Sequence, residues 1–316
     1  MGLNAMISPL GDNLIFLVSQ PRSGSTLLQR ILGGHPDIHT TTEPWFMLEA
    51  CETLRPRSPQ QPYESGGWAR LARDAFLKSA GGRETLVASV RDGARTVYGR
   101  ALQPSAKSRF LDKTPRYYYV LPELAEVFPE ARIVILLRNP LAVLCSLVRT
   151  WVQDHHERMP AYRDDLLLAP LLLAEGIQAL GSRAHVMHYE ALVRDPATAV
   201  AALCTWLGVA FVPAMLEYGK AADPGYAFGD PEGVHRHATA ESGHQDRWHA
   251  DLRNPQLWRW AQDYLKDLEQ NVPGMLGYDV AELWRTLDAA RPTAWRRWAT
   301  CPLHRVLSAP AVSTSP

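Results

Sequence analysis

The chain has 316 residues, its 33 lysines and arginines balance 33 aspartates and glutamates, and 46% of it is hydrophobic. Zero formal charge argues against broad electrostatic binding to nucleic acid or an anionic membrane and leaves room for local basic pockets. Four scattered cysteines, Cys51, Cys145, Cys204 and Cys301, give neither a disulfide framework nor a C-x-x-C metal site, so a reduced chain is expected.

In chain order, MGLNAMISPLGDN lacks a basic region followed by an apolar core, so no secretory leader is expected. No run of about 20 apolar residues stands out as a membrane span, and a cytoplasmic protein is expected. Leu14 to Val18 reads as a fully buried strand. Gln20 to Thr26 is a loop of small and hydroxyl residues, and Leu27, Leu28, Ile31 and Leu32 follow at helical spacing. Asp37 to Thr42 reads as a short strand and turn. Glu43-Pro44-Trp45 reads as the start of a helix to about Leu54, with Pro44 in its first turn. Arg55 to Gly67 is a loop, and Trp68 to Ala80 is helical. A short strand over Ser108 to Leu111 runs into Asp112-Lys113-Thr114-Pro115, and Tyr117 to Phe128 is helical. Arg132 to Leu137 is the clearest second buried strand, broken by Arg138-Asn139-Pro140 and followed by a helix over Leu141 to Trp151. Leu166 to Leu180 is helical, His185 to His188 a strand, and Ala197 to Leu207 a helix ended by Gly208. Ala222 to Ala250 is polar and aperiodic, with the histidines His235, His237, His244 and His249.

Strands alternating with helices imply an α/β fold with a mostly parallel sheet and right-handed crossovers. Ligands in such sheets bind beyond the carboxyl ends of the strands. Arg22, Lys113 and Arg138 each follow a strand. The first strand, tight loop and helix form a phosphate cradle, in which backbone N–H groups and the helix N-terminus face an anion. Ser25 and Thr26 are expected to cap that helix or to offer hydroxyls to phosphate oxygens. A nucleoside triphosphatase loop reads G-x-x-x-x-G-K-[ST]. Here Ser25 follows Gly24, Ser19 stands at the first glycine position, and the loop charge is Arg22, so ATP or GTP hydrolysis is not expected.

PRSGSTLLQRILGGHPDI resembles the 5′-phosphosulfate loop of sulfotransferases that use 3′-phosphoadenosine 5′-phosphosulfate. The likeness is greatest to the bacterial branch related to tyrosylprotein sulfotransferases and to polyketide-pathway sulfotransferase modules. Three further matches follow in order: FLDKTPRYYYVLPELAEVFPEARIVILLRNPLAVLCSL, YEALVRDP and GDPEGVHRH. They carry the resemblance from Leu14 to about Tyr278. It implies a P-loop-like three-layer fold, with a single sulfotransferase domain over residues 1–290. A basic-aromatic segment with Trp295 and Trp298 and a flexible tail would fill 291–316.

The resemblance also assigns roles. Arg22 with Ser23, Gly24, Ser25 and Thr26 would hold the 5′-phosphosulfate. Lys113 would meet the leaving bridging oxygen. Arg138 and Ser146 would bind the 3′-phosphate, where an arginine fork and a hydroxyl suit an oxyanion. Tyr189, with Glu190, would lie near the adenine, and Arg236 would close over the cofactor. Glu43 is the candidate base, since a hydroxyl acceptor must lose its proton as it attacks. The same residue also reads as an acid at a helix start, and His39 and His35 are rival bases. The expected product is adenosine 3′,5′-bisphosphate, with no metal required. The expected acceptor is a hydroxyl-bearing saccharide, lipid or secondary metabolite, with Trp45 and Trp68 as candidates to stack on it. Two other readings stand beside this one: a P-loop kinase-like phosphotransferase, and a non-catalytic nucleotide- or glycan-binding protein.

Overall fold

The computed structural model describes residues 6–55, 68–217, 247–268, 271–293 and 301–308. Five strands form one all-parallel sheet: β1 (Leu14–Ser19), β2 (Ile38–Thr40), β3 (Arg109–Lys113), β4 (Arg132–Leu137) and β5 (Ala184–His188). Their order across the sheet is β2-β3-β1-β4-β5. The chain leaves β1 through helix α1 (Ser25–Gly33) to the edge strand β2, returns to β3 on one side of β1, then crosses to β4 on the other. That reversal at β1 opens a crevice at the carboxyl ends of β3, β1 and β4, the place where parallel sheets take ligands. Ser19 pairs with Leu136, so β1 and β4 end within a residue of each other, while Lys113, the last residue of β3, pairs with Leu17, short of the end of β1.

Period-two alternation divides β1 and β4 between two cores. Leu14, Phe16, Val18, Ile133, Ile135 and Leu137 face one, with α2 (Phe46–Glu52), α4 (Gly82–Leu102), α5 (Leu121–Val127) and α7 (Arg163–Leu180). Ile15, Leu17, Val134 and Leu136 face the other, with α1 and α9 (Pro196–Leu207). The ring of Phe16 meets those of Tyr98, Tyr117 and Phe128 at 6.0–6.3 Å. Both faces of the strands are buried, which is why they read as unbroken apolar runs. A third cluster joins α6 (Pro140–Leu147) to α10 (Arg247–Asp251), α11 (Pro255–Asp267), α13 (Val280–Ala289) and α14 (Leu303–Leu307).

Three expectations change, and one segment is described further. The helix expected from Glu43 begins at Phe46, because Trp45 adopts a left-handed conformation at φ 56° and leaves Pro44 outside it. The helix expected over Tyr117 to Phe128 starts as a 3₁₀ turn, Pro115–Val120, before α5. The run His156–Arg183, which contains α7, is by length and composition apolar enough to cross a membrane. Here Leu166, Ala169 and Leu173 are buried in the fold, as in a core helix. Within the C-terminal segment 291–316, residues 301–308 join the fold: the Cys301 carbonyl accepts from Gln256 Nε2 at 2.7 Å and Trp260 Nε1 at 3.0 Å, and Leu303 is buried.

Candidate active site

The loop from β1 to α1 winds tightly because Arg22, at φ 70°, and Gly24, at φ 92°, are both left-handed. Such winding turns backbone N–H groups toward one point. Gly24, not Ser25 or Thr26, is the N-cap of α1, and no side chain caps the helix there. The hydroxyls of Ser19 and Ser23 are buried and hydrogen-bonded to no described group. Buried polar atoms left in this way are rare unless a ligand or water meets them.

Two arginines converge on this loop. Arg22 Nε donates to Ser146 Oγ at 3.2 Å, and the guanidinium lies 5.3 Å from the centre of the Trp151 ring. Trp151 is carried there by a π-helical turn, Val148–Val152, that extends α6. Arg138 NH1 donates to the Arg22 carbonyl at 2.9 Å, and its guanidinium covers the Tyr189 ring at 4.3 Å. Its Nε is buried without a described partner. Burial lowers the pKa of Arg138; Tyr189 and Glu190 offset this, while Arg22 and Arg149 push the same way as burial. Desolvated guanidiniums crowded together favour an anion between them.

Lys113, at the end of β3, is almost wholly buried, and its Nζ meets Glu43 Oε1 at 2.5 Å and Thr26 Oγ1 at 3.4 Å. Glu43 Oε2 accepts the Trp45 indole N–H at 3.1 Å. Glu43 is therefore the counter-ion of Lys113 rather than an acid in a helix first turn. Beneath the pair, the buried Asp112 accepts from Tyr98 at 2.5 Å and from Tyr117 and Thr114, both at 2.8 Å. Burial pushes Asp112 up to about 6, against the pull of those three hydroxyls, and the charge of Glu43 adds to the rise.

The model of the sulfotransferase family matches residues 14–213. This chain belongs to the sulfotransferase family. It is 33% identical over 301 residues to the nodulation protein NoeE of Sinorhizobium fredii, across 87% of this chain and 66% of NoeE. It is 23% identical over 292 residues to the protein-tyrosine sulfotransferase of Drosophila melanogaster, across 89% of this chain and 54% of that protein. The chain thus spans between half and two thirds of the length of these two relatives. In three dimensions it is similar to the sulfotransferase domain of the Synechococcus PCC 7002 olefin synthase, with a TM-score of 0.54 and 26% identity over 84% of this chain and 94% of that domain.

In this sulfotransferase-family chain the contacts form two groups, Arg22 with Arg138 and Ser146, and Lys113 with Glu43 and Thr26, joined by the loop backbone through Ser23 and Gly24. Ser25 is buried at the start of α1. Tyr189 lies under the loop: a Cβ on Gly24 would stand 2.4 Å from its Cδ2. Glu190 supports the Arg138 turn, accepting from the Asn139 N–H at 2.8 Å and the Tyr278 hydroxyl at 3.2 Å. Of the rival bases, His35 spends both ring nitrogens on the backbone, on Asp37 N at 3.0 Å and Ala210 O at 2.9 Å. His39 sits in β2 against Phe110, and burial, then Lys107, lowers its pKa. Arg236, His235, His237 and His244 lie outside the described residues, as do Trp295 and Trp298; His249 stacks on Trp248. Among the described residues no three His, Cys, Asp or Glu are grouped to hold a metal ion. Trp45 adjoins Glu43 and lies 5.3 Å from the Arg116 guanidinium, whereas Trp68 stands 72% exposed.

Sequence reading missed Asp112 and its hydroxyl partners, the Trp151 contact, and the pair Arg116–Asp165. An acid inside the apolar run Phe110-Leu111-Asp112 was the available signal. Gly24→Ala is expected to break the loop, since the new methyl would enter the Tyr189 ring and the left-handed backbone would be strained. Each of these costs about 1–3 kcal/mol. Thermal denaturation should show the loss, and the variant should no longer be stabilised by adenosine 3′,5′-bisphosphate. A stabilisation equal to that of the unaltered chain would show that the loop does not bind it.

Proposed function

We propose that this chain moves a sulfuryl group from 3′-phosphoadenosine 5′-phosphosulfate to a hydroxyl on a saccharide, lipid or secondary metabolite. The supporting observation is that Arg22 and Arg138 follow β1 and β4, that Lys113 is the last residue of the adjacent β3, and that Glu43 is drawn onto Lys113. The unpartnered Ser19 and Ser23 hydroxyls and Arg138 Nε suit a donor bearing two separate anionic groups. When bound, that donor supplies a sulfuryl group joined to a phosphate leaving group.

The residues divide the work as sulfuryl transfer requires. Arg22 and the backbone of Ser23 to Thr26 hold the 5′ end. Arg138 and Ser146, linked through Arg22, hold the 3′-phosphate side. Lys113 balances charge on the leaving oxygen, and Thr26 beside it shows that its ammonium lies within reach of the loop. Glu43 takes the acceptor's proton. Both its oxygens now receive donors, one from Lys113 and one from Trp45. Drawing Lys113 toward the leaving oxygen frees one of them, so charge neutralisation and base activation are coupled.

The test is ligand-dependent thermal stabilisation. Adenosine 3′,5′-bisphosphate should raise the melting temperature more than 5′-AMP or ATP does, because a ligand that binds only the folded state stabilises it. Arg138→Ala should remove most of that preference. Each lost charged hydrogen bond is worth about 1.5–3 kcal/mol, or about 10- to 150-fold in affinity. Equal shifts with the bisphosphate and 5′-AMP would count against a 3′-phosphate site, and a larger shift with ATP would favour a phosphotransferase. Turnover of labelled donor against a panel of hydroxyl acceptors separates an enzyme from a binding protein.

A further inference from the structure

The turn that carries Glu43 is strained. Trp45 is left-handed at φ 56°, a costly conformation for a bulky side chain. It also occupies the N-cap of α2, where its side chain provides no cap bond. Two backbone N–H groups of this turn find their acceptors on other elements. Trp45 N donates to Thr114 Oγ1 at 3.4 Å, and Met47 N donates to the Tyr117 hydroxyl at 3.1 Å. A hydroxyl has one proton and two lone pairs, so it presents a lone pair reliably only when its proton is committed elsewhere. Both protons go to Asp112, Thr114 at Oδ1 and Tyr117 at Oδ2. Tyr98 donates to the same Oδ2, and Asp112 is wholly buried.

We propose that Asp112 is a positioning residue for sulfuryl transfer: it orients the Thr114 and Tyr117 hydroxyls so that they grip the turn Trp45–Met47, and thereby sets Glu43 against Lys113. The role rests on the reading of Glu43 as the base. Asp112 precedes Lys113 in β3, so one strand end places the cation directly and the carboxylate through two hydroxyl relays. A carboxylate that served only the core would need its bonds to Tyr98 and Tyr117. It would not need its Thr114 and Tyr117 partners both to end on the segment that holds Glu43.

Thr114 is the probe, because Val keeps its shape and removes the acceptor, while Ser keeps the hydroxyl. Thr114→Val should lower turnover about 10²-fold, the scale of a small misplacement of reacting groups, with the donor KM nearly kept. Thr114→Ser should restore most of the rate. In a Glu43→Gln background, Thr114→Val should add little further loss, because its effect passes through Glu43. A second readout needs no turnover. Labelling of lysines by acetic anhydride, followed by mass spectrometry, should modify Lys113 several-fold faster in Thr114→Val. Lys107, whose ammonium is fixed on the carbonyls of Gly33, His35 and Ile38 at 2.8–3.1 Å, should stay as slow as before. Unchanged turnover in Thr114→Val, a loss that multiplies with that of Glu43→Gln, or equal acceleration at Lys113 and Lys107 would each overturn the proposal. An unaltered chain that never consumes the donor would instead overturn the sulfuryl-transfer reading, while the labelling contrast would still report whether the turn is held through the Thr114 hydroxyl that Asp112 orients.

Discussion

Glu43→Gln is expected to lower turnover with a hydroxyl acceptor by about 10²–10⁴-fold, the usual cost of losing a general base. The substitution keeps the outline of the side chain and removes its proton affinity. It also places an amide NH₂ toward one of two donors, the Lys113 ammonium or the Trp45 indole, so one of those bonds is lost. Binding of adenosine 3′,5′-bisphosphate should be kept, because Arg22, Arg138 and Ser146 do not touch Glu43 in the contacts described. Steady-state rates and the bisphosphate-induced thermal shift, measured on the same preparation, separate the two effects. Near-full turnover would reduce Glu43 to a counter-ion for Lys113. The search for a base would then turn to His39, since His35 has both ring nitrogens engaged.

Lys113→Ala should depress turnover about 10²–10³-fold with the donor KM nearly unchanged. Charge on the leaving oxygen appears only in the transition state, so the lost interaction is felt there and little in binding. The buried pair adds a cost that a solvated lysine would not carry. Only 1% of the Lys113 side chain and 9% of the Glu43 side chain reach solvent. Removing one member strands the other, a penalty of about 3–5 kcal/mol. The melting temperature should therefore fall in Lys113→Ala and recover in part in Lys113→Ala/Glu43→Gln, while turnover does not recover. A variant that loses stability but keeps its rate would confine Lys113 to the fold.

The centre of the sheet was legible because β1 and β4 are buried on both faces. Arg132 to Leu137 matches β4 at both ends, and Gly208 ends α9 in the left-handed conformation expected of it. Helix α4 was not legible. Its buried residues Val87, Ala94, Tyr98 and Leu102 are separated by arginines, threonines and glycines that dilute the pattern. Helices α10, α11, α13 and α14 of the third cluster escaped as well, because they begin within or after a long polar stretch without periodicity. In the site, Arg22, Lys113 and Arg138 could be placed from strand ends alone. The Glu43–Lys113 pair could not, since 70 residues separate its members and no local spacing records the contact. Pro44 misled the reading of the Glu43 turn, because a proline suited to a first helical turn serves as well just before a left-handed residue.

The lengths of the connections govern what evolution can alter. Arg22 and Arg138 sit in the brief links that join β1 to α1 and β4 to α6, where an insertion would move the guanidinium itself. Glu43 begins the extended crossover from β2 to β3, which also holds α2, α3 (Trp68–Ser79) and α4. Within that crossover α2 and α4 are tied to the core, Tyr98 packing on Phe16 and donating to Asp112, so change without cost to β1 is confined to the exposed positions and to the links between these helices. If Arg22 and Arg138 hold the donor as proposed, a lineage could vary those positions toward new acceptors while both arginines keep their places, provided Tyr98 and the other core residues of α4 are retained.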